Sequence, residues 1–254
     1  MTGPPSGASA AGVPTAGASA GTAFVDLHCH TSASFDSLAD PRRVVQVAAA
    51  RGLTHLAITD HDRIDGALVA REHAPAGLTV IVGEEVKTAA GDLVCLFLSR
   101  AVPPGLSPEE TIAAVREQGG LVGIPHPFDR HRNSLARDEG LLALAPLVDW
   151  VEVHNARIMV GDGNERAAEF AAATGLPGVA VSDAHTLLEI GVAWTRLSGD
   201  VGTPEGLRAA LATAAIAPGR ASYFVRLVTP LAKAIQRARG NRRIRPRSLA
   251  GGGR

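Results

Sequence analysis

Short apolar runs rich in β-branched residues alternate along this chain with stretches of helical periodicity. The first run, 24–25, leads into Asp26-Leu27-His28-Cys29-His30 and predicts a strand that ends in polar chemistry. Asp40-Pro41 reads as an N-cap and first helical position, Val44, Val45, Val47 and Ala48 follow, and Gly52 stops the helix. Further strands are expected at 54–59, 78–82, 92–98, 121–124, 150–153 and 178–181, the third of these pairing with the second. Helices are expected at 66–73, from the Ser107-Pro108-Glu109-Glu110 cap to Gln118, at 141–147 and at 165–174. Strands separated by helices imply parallel βα units, and hence a barrel or a doubly wound sheet.

The polar residues fall at the ends of those strands. Asp26, His28 and His30 close the first, Asp60-His61-Asp62 follows Ile58, and Glu84-Glu85 follows Val82. Pro125-His126-Pro127 follows Ile124, Glu152, His154 and Asn155 surround Val153, and Asp183-Ala184-His185 follows Val181. In an α/β barrel all carboxyl strand ends meet at one rim, so residues far apart in sequence converge there. Alternation along a strand places His28 and His30 on one face, with Leu27 and Cys29 on the other. Imidazoles and carboxylates gathered in this way are the ligands of a transition-metal site.

Composition narrows the picture. Aromatic residues make up only 4% of the chain, so the core must be aliphatic, and a 46% apolar fraction is ample for one. Cys29 and Cys95 have no CxxC spacing, which argues against a disulfide framework and for a reducing, cytoplasmic setting. The formal charge of zero hides an asymmetry: every acidic residue lies at or before Glu205, whereas 11 of the 25 basic residues follow it. The body is therefore at −11 and the end at +11. Residues 1–22, made of small residues and proline without charge, are expected to form a disordered extension. No run of about 18 apolar residues could cross a bilayer, so no membrane partner is expected.

The motifs Asp26-Leu27-His28-Cys29-His30-Thr31-Ser32, Ile58-Thr59-Asp60-His61-Asp62, Gly83-Glu84-Glu85, Pro125-His126-Pro127 and Ser182-Asp183-Ala184-His185 together resemble the polymerase and histidinol phosphatase (PHP) family of metal-dependent phosphoesterases. The resemblance implies an α/β fold, a distorted (β/α)7 barrel in a single domain over 23–228. It also implies two, or with a further site three, divalent ions of Mn, Zn or Fe. Carried over by position, His28, His30, Glu85 and Asp183 would hold one ion. Asp36, His61 and His185 would hold a second, and Glu85 would bridge toward a site that includes His126. Relatives with three ions have another His on the strand that here reads Gly91-Asp92-Leu93-Val94-Cys95-Leu96, so two ions are expected. The catalytic set expected is Asp60, His126 and Asp183, with Asp26 and Asp60 orienting neighbouring imidazoles.

For substrate binding the candidates are Arg130 and Arg157, whose planar forks suit a phosphate, and Asn155, which with Glu152 resembles a motif of the family's supporting or substrate-contacting residues. The activity implied is hydrolysis of phosphomonoesters such as nucleotides or nucleoside bisphosphates by a water shared between two ions, with 5′-3′ cleavage of short oligonucleotides as an extension. Two other readings stand beside it: an amidohydrolase acting on C–N or ester bonds, and a metal-binding module without catalysis. Covalent and dinucleotide chemistry are excluded, since the chain has no Gly-x-Ser-x-Gly elbow, Walker loop or Rossmann fingerprint. His55 and His73 fall away from the rim, His131 lies in a loop that is either solvated or, with Arg157, offers cations to a phosphate, and His154 and Cys29 face away from the ligand pair. Residues 229–254 are expected to form a short helix opened by Pro230 and then a basic tail, which could guide a polyanion or pack back on the acidic barrel.

Overall fold

The computed structural model of this chain describes residues 21–129 and 138–243. Arg130, His131, nearly all of the small-residue extension and the end of the basic tail lie outside the described residues. One nine-stranded sheet organises the rest, in the order β7-β6-β5-β4-β3-β2-β1-β8-β9. The strands are β1 (Thr22–Asp26), β2 (His55–Ile58), β3 (Thr79–Lys87), β4 (Asp92–Leu96), β5 (Leu121–Ile124), β6 (Trp150–Asn155), β7 (Gly178–Val181), β8 (Trp194–Ser198) and β9 (Ala215–Ala217). The helices are α1 (Pro41–Ala50), α2 (Asp65–Glu72), α3 (Pro108–Arg116), α4 (Asp138–Leu144), α5 (Gly163–Thr174), α6 (Pro204–Ala210) and α7 (Val225–Ala238).

The sheet curls until its ends nearly meet. Ala180 on β7 donates to Thr195 Oγ1 on β8 at 2.8 Å and accepts from it at 2.9 Å. Beyond the strands proper, the His30 amide reaches the Ala184 carbonyl at 2.8 Å. Pairing is parallel between β1, β2 and β3 and between β5, β6 and β7, as expected of βα units. β4 runs antiparallel to both of its neighbours because only a tight turn at 88–91 separates it from β3, too little chain for a crossover helix. β8, β9 and α6 were not legible as elements: β8 alternates exposed Arg196 and Ser198 with buried neighbours over five residues, and β9 is only three long. The distorted α/β barrel is thus realised, but not as seven βα units: six strands pair in parallel, β4 is an antiparallel insertion, and β8 and β9 close the sheet as an antiparallel hairpin.

Two layers of apolar packing follow from the alternation along the strands. Val25, Ala57, Ile81, Val94, Leu121, Trp150, Val179 and Leu197 point to the barrel interior, where Leu207, Ala210 and Leu211 at the end of α6 meet them. Leu56, Ile58, Val80 and Val82 alternate outward, against Val44, Val45 and Ala48 of α1 and Ala67 and Ala70 of α2. The helix starts use the caps visible in the sequence. Asp40 accepts from the Arg42 amide at 2.8 Å, and Ser107 and Glu110 form a reciprocal capping box.

The C-terminal helix departs from expectation. α7 begins at Val225, so Pro230 sits inside it and does not open it. Its anchor is Gln236, whose buried amide donates to the carbonyls of Ser32, Ser34 and Ser37 at 2.7, 3.1 and 2.7 Å. Asn241 adds a bond to the Ala33 carbonyl at 2.9 Å. The basic end of the described chain therefore packs on the loop that follows β1.

Gly123 on β5 lies under the fully buried indole of Trp150, and a Cβ there would come within 2.0 Å of the ring. Gly123→Ala should destabilise the fold by about 1–3 kcal/mol through overpacking. Urea unfolding followed by tryptophan emission would show it as a lowered midpoint with the native emission already shifted.

Candidate metal centre

Each strand delivers its polar residues to one rim, and specific buried bonds fix them there. Asp26 Oδ1, at the end of β1, accepts from the amides of Ser182 and His28 at 3.0 and 3.4 Å and so ties the two outermost motifs together. Burial raises the Asp26 carboxyl to about 6. Asp60 takes both the amide and the hydroxyl of Thr31 at 2.6 Å, which fastens the start of the 31–37 loop, and burial raises it also to about 6. Gly66 packs against this pair so closely that a Cβ would lie 2.1 Å from Asp60 Oδ2.

Four donor atoms converge at the centre. His28 Nε2 and His30 Nε2 face each other at 3.0 Å, and Glu85 Oε2 lies 3.4 Å from each. Asp183 Oδ1 stands 3.8 and 3.5 Å from the same two nitrogens. Beside this set, and sharing His30, is a second group of His30, Asp36, His61 and His185. Asp36 Oδ2 is 3.4 Å from both His61 Nε2 and His185 Nε2. Glu85 reaches His61 Nδ1 at 3.1 Å through Oε2 and His126 Nε2 at 3.2 Å through Oε1. A third group joins His61, Glu85 and Asp92. Every metal-ligand candidate read from the sequence is therefore brought to one place.

Supporting residues set the orientation. Glu152 on β6 accepts from His28 Nδ1 at 2.6 Å, leaving Nε2 to face the centre, and its other oxygen accepts from the His126 amide at 3.0 Å. Ser34 donates to Asp36 at 2.9 Å, and Ser37 donates to the His185 carbonyl at 2.9 Å. Glu189 accepts from the His185 amide at 3.0 Å. His126 and Asp183 carry φ of +26° and +50°, a conformation that favours glycine, so the surrounding bonds hold both under strain.

The charges respond to this crowding. Burial opposes a charge on His28, yet Glu152 and Glu85 outweigh it and raise the imidazole to about 10. Burial lowers His185 to about 4, with Arg157 adding to the effect. Burial also holds His30 well below its usual value, the nearby His185 contributing. Asp36 and Glu85 would be raised by burial alone, but His185 and His61 hold the first, and His61 and His28 the second, well below the usual carboxylate range. His28 Nε2 and His30 Nε2, within hydrogen-bond distance of each other and beside buried carboxylate oxygens, belong to a mixed nitrogen and oxygen donor set that suits Zn, Mn or Fe once the shared proton is displaced. The residues present fit that group.

The remaining candidates fall elsewhere. Asn155 is fully buried behind the centre, where its amide donates to Glu152 at 2.9 Å and Asp183 at 3.0 Å, a place for support rather than substrate contact. Asp60 likewise lies one layer back, on Thr31 and not on an imidazole. Arg157 stands at the edge, with Nε 3.4 Å from Glu189 and one terminal nitrogen 2.7 Å from Thr229 on α7. Asp92, Glu189, Lys233 and Arg243 were missed. A lone Asp in the apolar run of β4 was a signal for the first, while the others come from segments whose docking no periodicity reveals.

The carboxyl rim of this barrel gathers His, Asp and Glu into groups that could hold metal ions, the arrangement of a metal-binding barrel. The PHP domain family matches residues 26–139, and the PHP-associated family matches 161–216. An uncharacterized protein of Methanocaldococcus jannaschii is 37% identical over 142 residues, 52% of this chain and 81% of that one. A 5′-3′ exoribonuclease of Haemophilus influenzae is 40% identical over 120 residues, 41% of this chain and 42% of its own length. A two-domain protein from Bacteroides vulgatus containing a predicted PHP-like metal-dependent phosphoesterase shares the fold, with a TM-score of 0.64 at 21% identity over 78% of this chain and 65% of that chain. The chain belongs to the PHP family. Among the described residues no helix is long and apolar enough to cross a membrane.

With His28 raised to about 10 in the metal-free protein, the imidazole carries a proton at pH 7 that a ligated metal must displace. Binding of Mn at pH 7 should therefore release protons, and affinity should increase as pH rises through the neutral range. Calorimetry in two buffers of different ionisation enthalpy would measure the release. Equal heats in both buffers would contradict it.

Proposed function

We propose that this chain hydrolyses phosphate esters with two divalent ions held at the rim, one by His28, His30, Glu85 and Asp183 and one by Asp36, His61 and His185. The observation that carries the reading is the pair of adjacent donor groups sharing His30. Two ions so placed would acidify a shared water, align it with the leaving oxygen and neutralise charge on the phosphoryl oxygens. Around them, Glu152 keeps His28 in one tautomer, Asn155 holds Asp183 in line, and His126 braces the far oxygen of Glu85. Asp60 serves at one remove, by fixing the loop that presents Asp36.

The substrate we infer is a small phosphorylated molecule of nucleotide type, extending to short 5′-phosphorylated oligonucleotides. A cavity of about 580 Å³ lined by Phe35, Lys87, Lys233, Arg237, Arg242 and Arg243 adjoins the centre and supports this. Two of its lining residues touch the centre: the Phe35 ring lies tilted against His61 with centroids 4.9 Å apart, and Lys233 Nζ is 3.9 Å from Asp36 Oδ2. Lys87, Arg237 and Arg242 pair with no carboxylate among the described residues, which leaves their charge for an incoming anion. The 5′-3′ exoribonuclease similarity agrees with a phosphodiester as one substrate form.

Asp183→Ala and His185→Ala should each lower Mn-dependent hydrolysis of an aryl phosphate by about a hundredfold or more, and a chelator should abolish it reversibly. Assaying nucleotides, nucleoside bisphosphates, histidinol phosphate, sugar phosphates and 5′-phosphorylated oligonucleotides side by side would identify the substrate class. Full activity of metal-free protein would end this reading.

A further inference from the structure

Arg243 reaches the centre from the far end of the described chain. Its NH2 nitrogen lies 2.7 Å from Asp92 Oδ1, and its Nε lies 3.3 Å from Asp62 Oδ2. Both carboxylates are buried, and the guanidinium side chain is itself only 19% exposed. Asp92 is also a member of the third donor group, with His61 and Glu85, whose ligand atoms all lie within 4.8 Å of one another. The oxygen-rich edge of the centre thus already holds a positive group that the chain supplies from its own C-terminal segment. Burial opposes the charge on Arg243, but Asp92, Glu85 and Asp62 together raise it above its ordinary value, so the guanidinium remains charged.

We propose that Arg243 is the resident cation of the His61, Glu85 and Asp92 group, and that it keeps this chain to two metal ions by occupying the position a third would need. The geometry gives two reasons. A divalent ion on Asp92 would have to take the carboxylate away from a charge-assisted hydrogen bond. It would also sit within a few ångströms of a fixed guanidinium charge, where repulsion in a poorly solvated site is strong. The anchors make this an arrangement of the fold: Gln236 and Asn241 pin the segment on either side of Arg239 to the 32–37 loop, so Arg243 arrives at a fixed place. Arg243 also stands over Phe35, 5.9 Å from the ring centroid, and lines the cationic cavity. The same side chain therefore balances the carboxylates behind it and faces substrate in front.

This inference rests on the metal reading above, and metal stoichiometry separates the two. Full-length protein, loaded with Mn, desalted and assayed for bound metal by mass spectrometry, should carry about two equivalents in the wild type. Arg243→Gln should admit a third, Arg243→Lys should not, and adding Asp92→Asn to Arg243→Gln should return the count to two. Asp92→Asn alone should leave it at two. The proposal is overturned if Arg243→Gln, folded by circular dichroism, binds no more metal than wild type. It is also overturned if wild type already binds three, or if Asp92→Asn alone loses one ion, because Asp92 would then be a ligand with Arg243 in place. Wild-type protein that binds no metal at all would instead defeat the metal reading itself.

Discussion

A single buried carboxylate, that of Glu85, lies within 3.1–3.4 Å of four imidazoles, and the arrangement of the rim depends on it. Such crowding is possible only because β3 runs on past its parallel partner β2. Its register with β2 ends at Val82, and its last residues pair instead with the antiparallel β4. Glu84 and Glu85 project to opposite faces of this stretch, which β4 pairs on one side and a single parallel bridge between Glu85 and His61 ties to the end of β2 on the other. Glu84 turns into the outer layer, where its Oε2 accepts from the Val102 amide at 2.9 Å and burial raises its carboxyl to about 8, so it is largely protonated at neutral pH. Glu85 turns inward and stays ionised. Two adjacent glutamates thus enter opposite charge states because the strand alternates.

Stabilising the ionised form of Glu85 requires positive charge, and the fold supplies it from several distances. Imidazoles touch it directly, metal ions would complete it, and Arg243 completes the acidic edge beyond. Around this core the strained backbones of His126 and Asp183, each worth about 1–3 kcal/mol, persist because neighbouring hydrogen bonds over-determine them. The Glu152 bond to the His126 amide and the Asn155 bond to Asp183 are two of those restraints.

Much of this was written in the chain in readable form. His28, His30, His61, His126, Asp183 and His185 each follow an apolar run, and the rule that strand ends share a rim was enough to assemble them. The caps at Asp40 and Ser107 carried their helices in the same way. What stayed hidden is tertiary in origin. The partner of Glu152 is one such feature, since nothing local says that this carboxylate meets His28, 124 positions away. Asn155, with Glu152, was legible as either a supporting or a substrate-contacting residue, and its burial against Glu152 and Asp183 favours the first; Arg130, chosen for its chemistry, lies outside the described residues. β8 and β9 have too few residues for a period to show, and α7 carries a proline that reads as a start. The partners of Arg243 could be recognised only once the chain had returned to its own beginning.

That return has a consequence for the order in which the molecule is completed during synthesis. Ser32, Ser34 and Ser37 lie in the loop that presents Asp36, and their carbonyls wait for an amide about 200 residues downstream. On the ribosome the barrel strands emerge first and can pair while Gln236 is still unmade. The loop then has water in place of its final partner, and the second group of ligands lacks its frame. A nascent chain of this protein should thus be a barrel before it is a metal centre, acquiring its full binding geometry only when the last helix closes over the first loop.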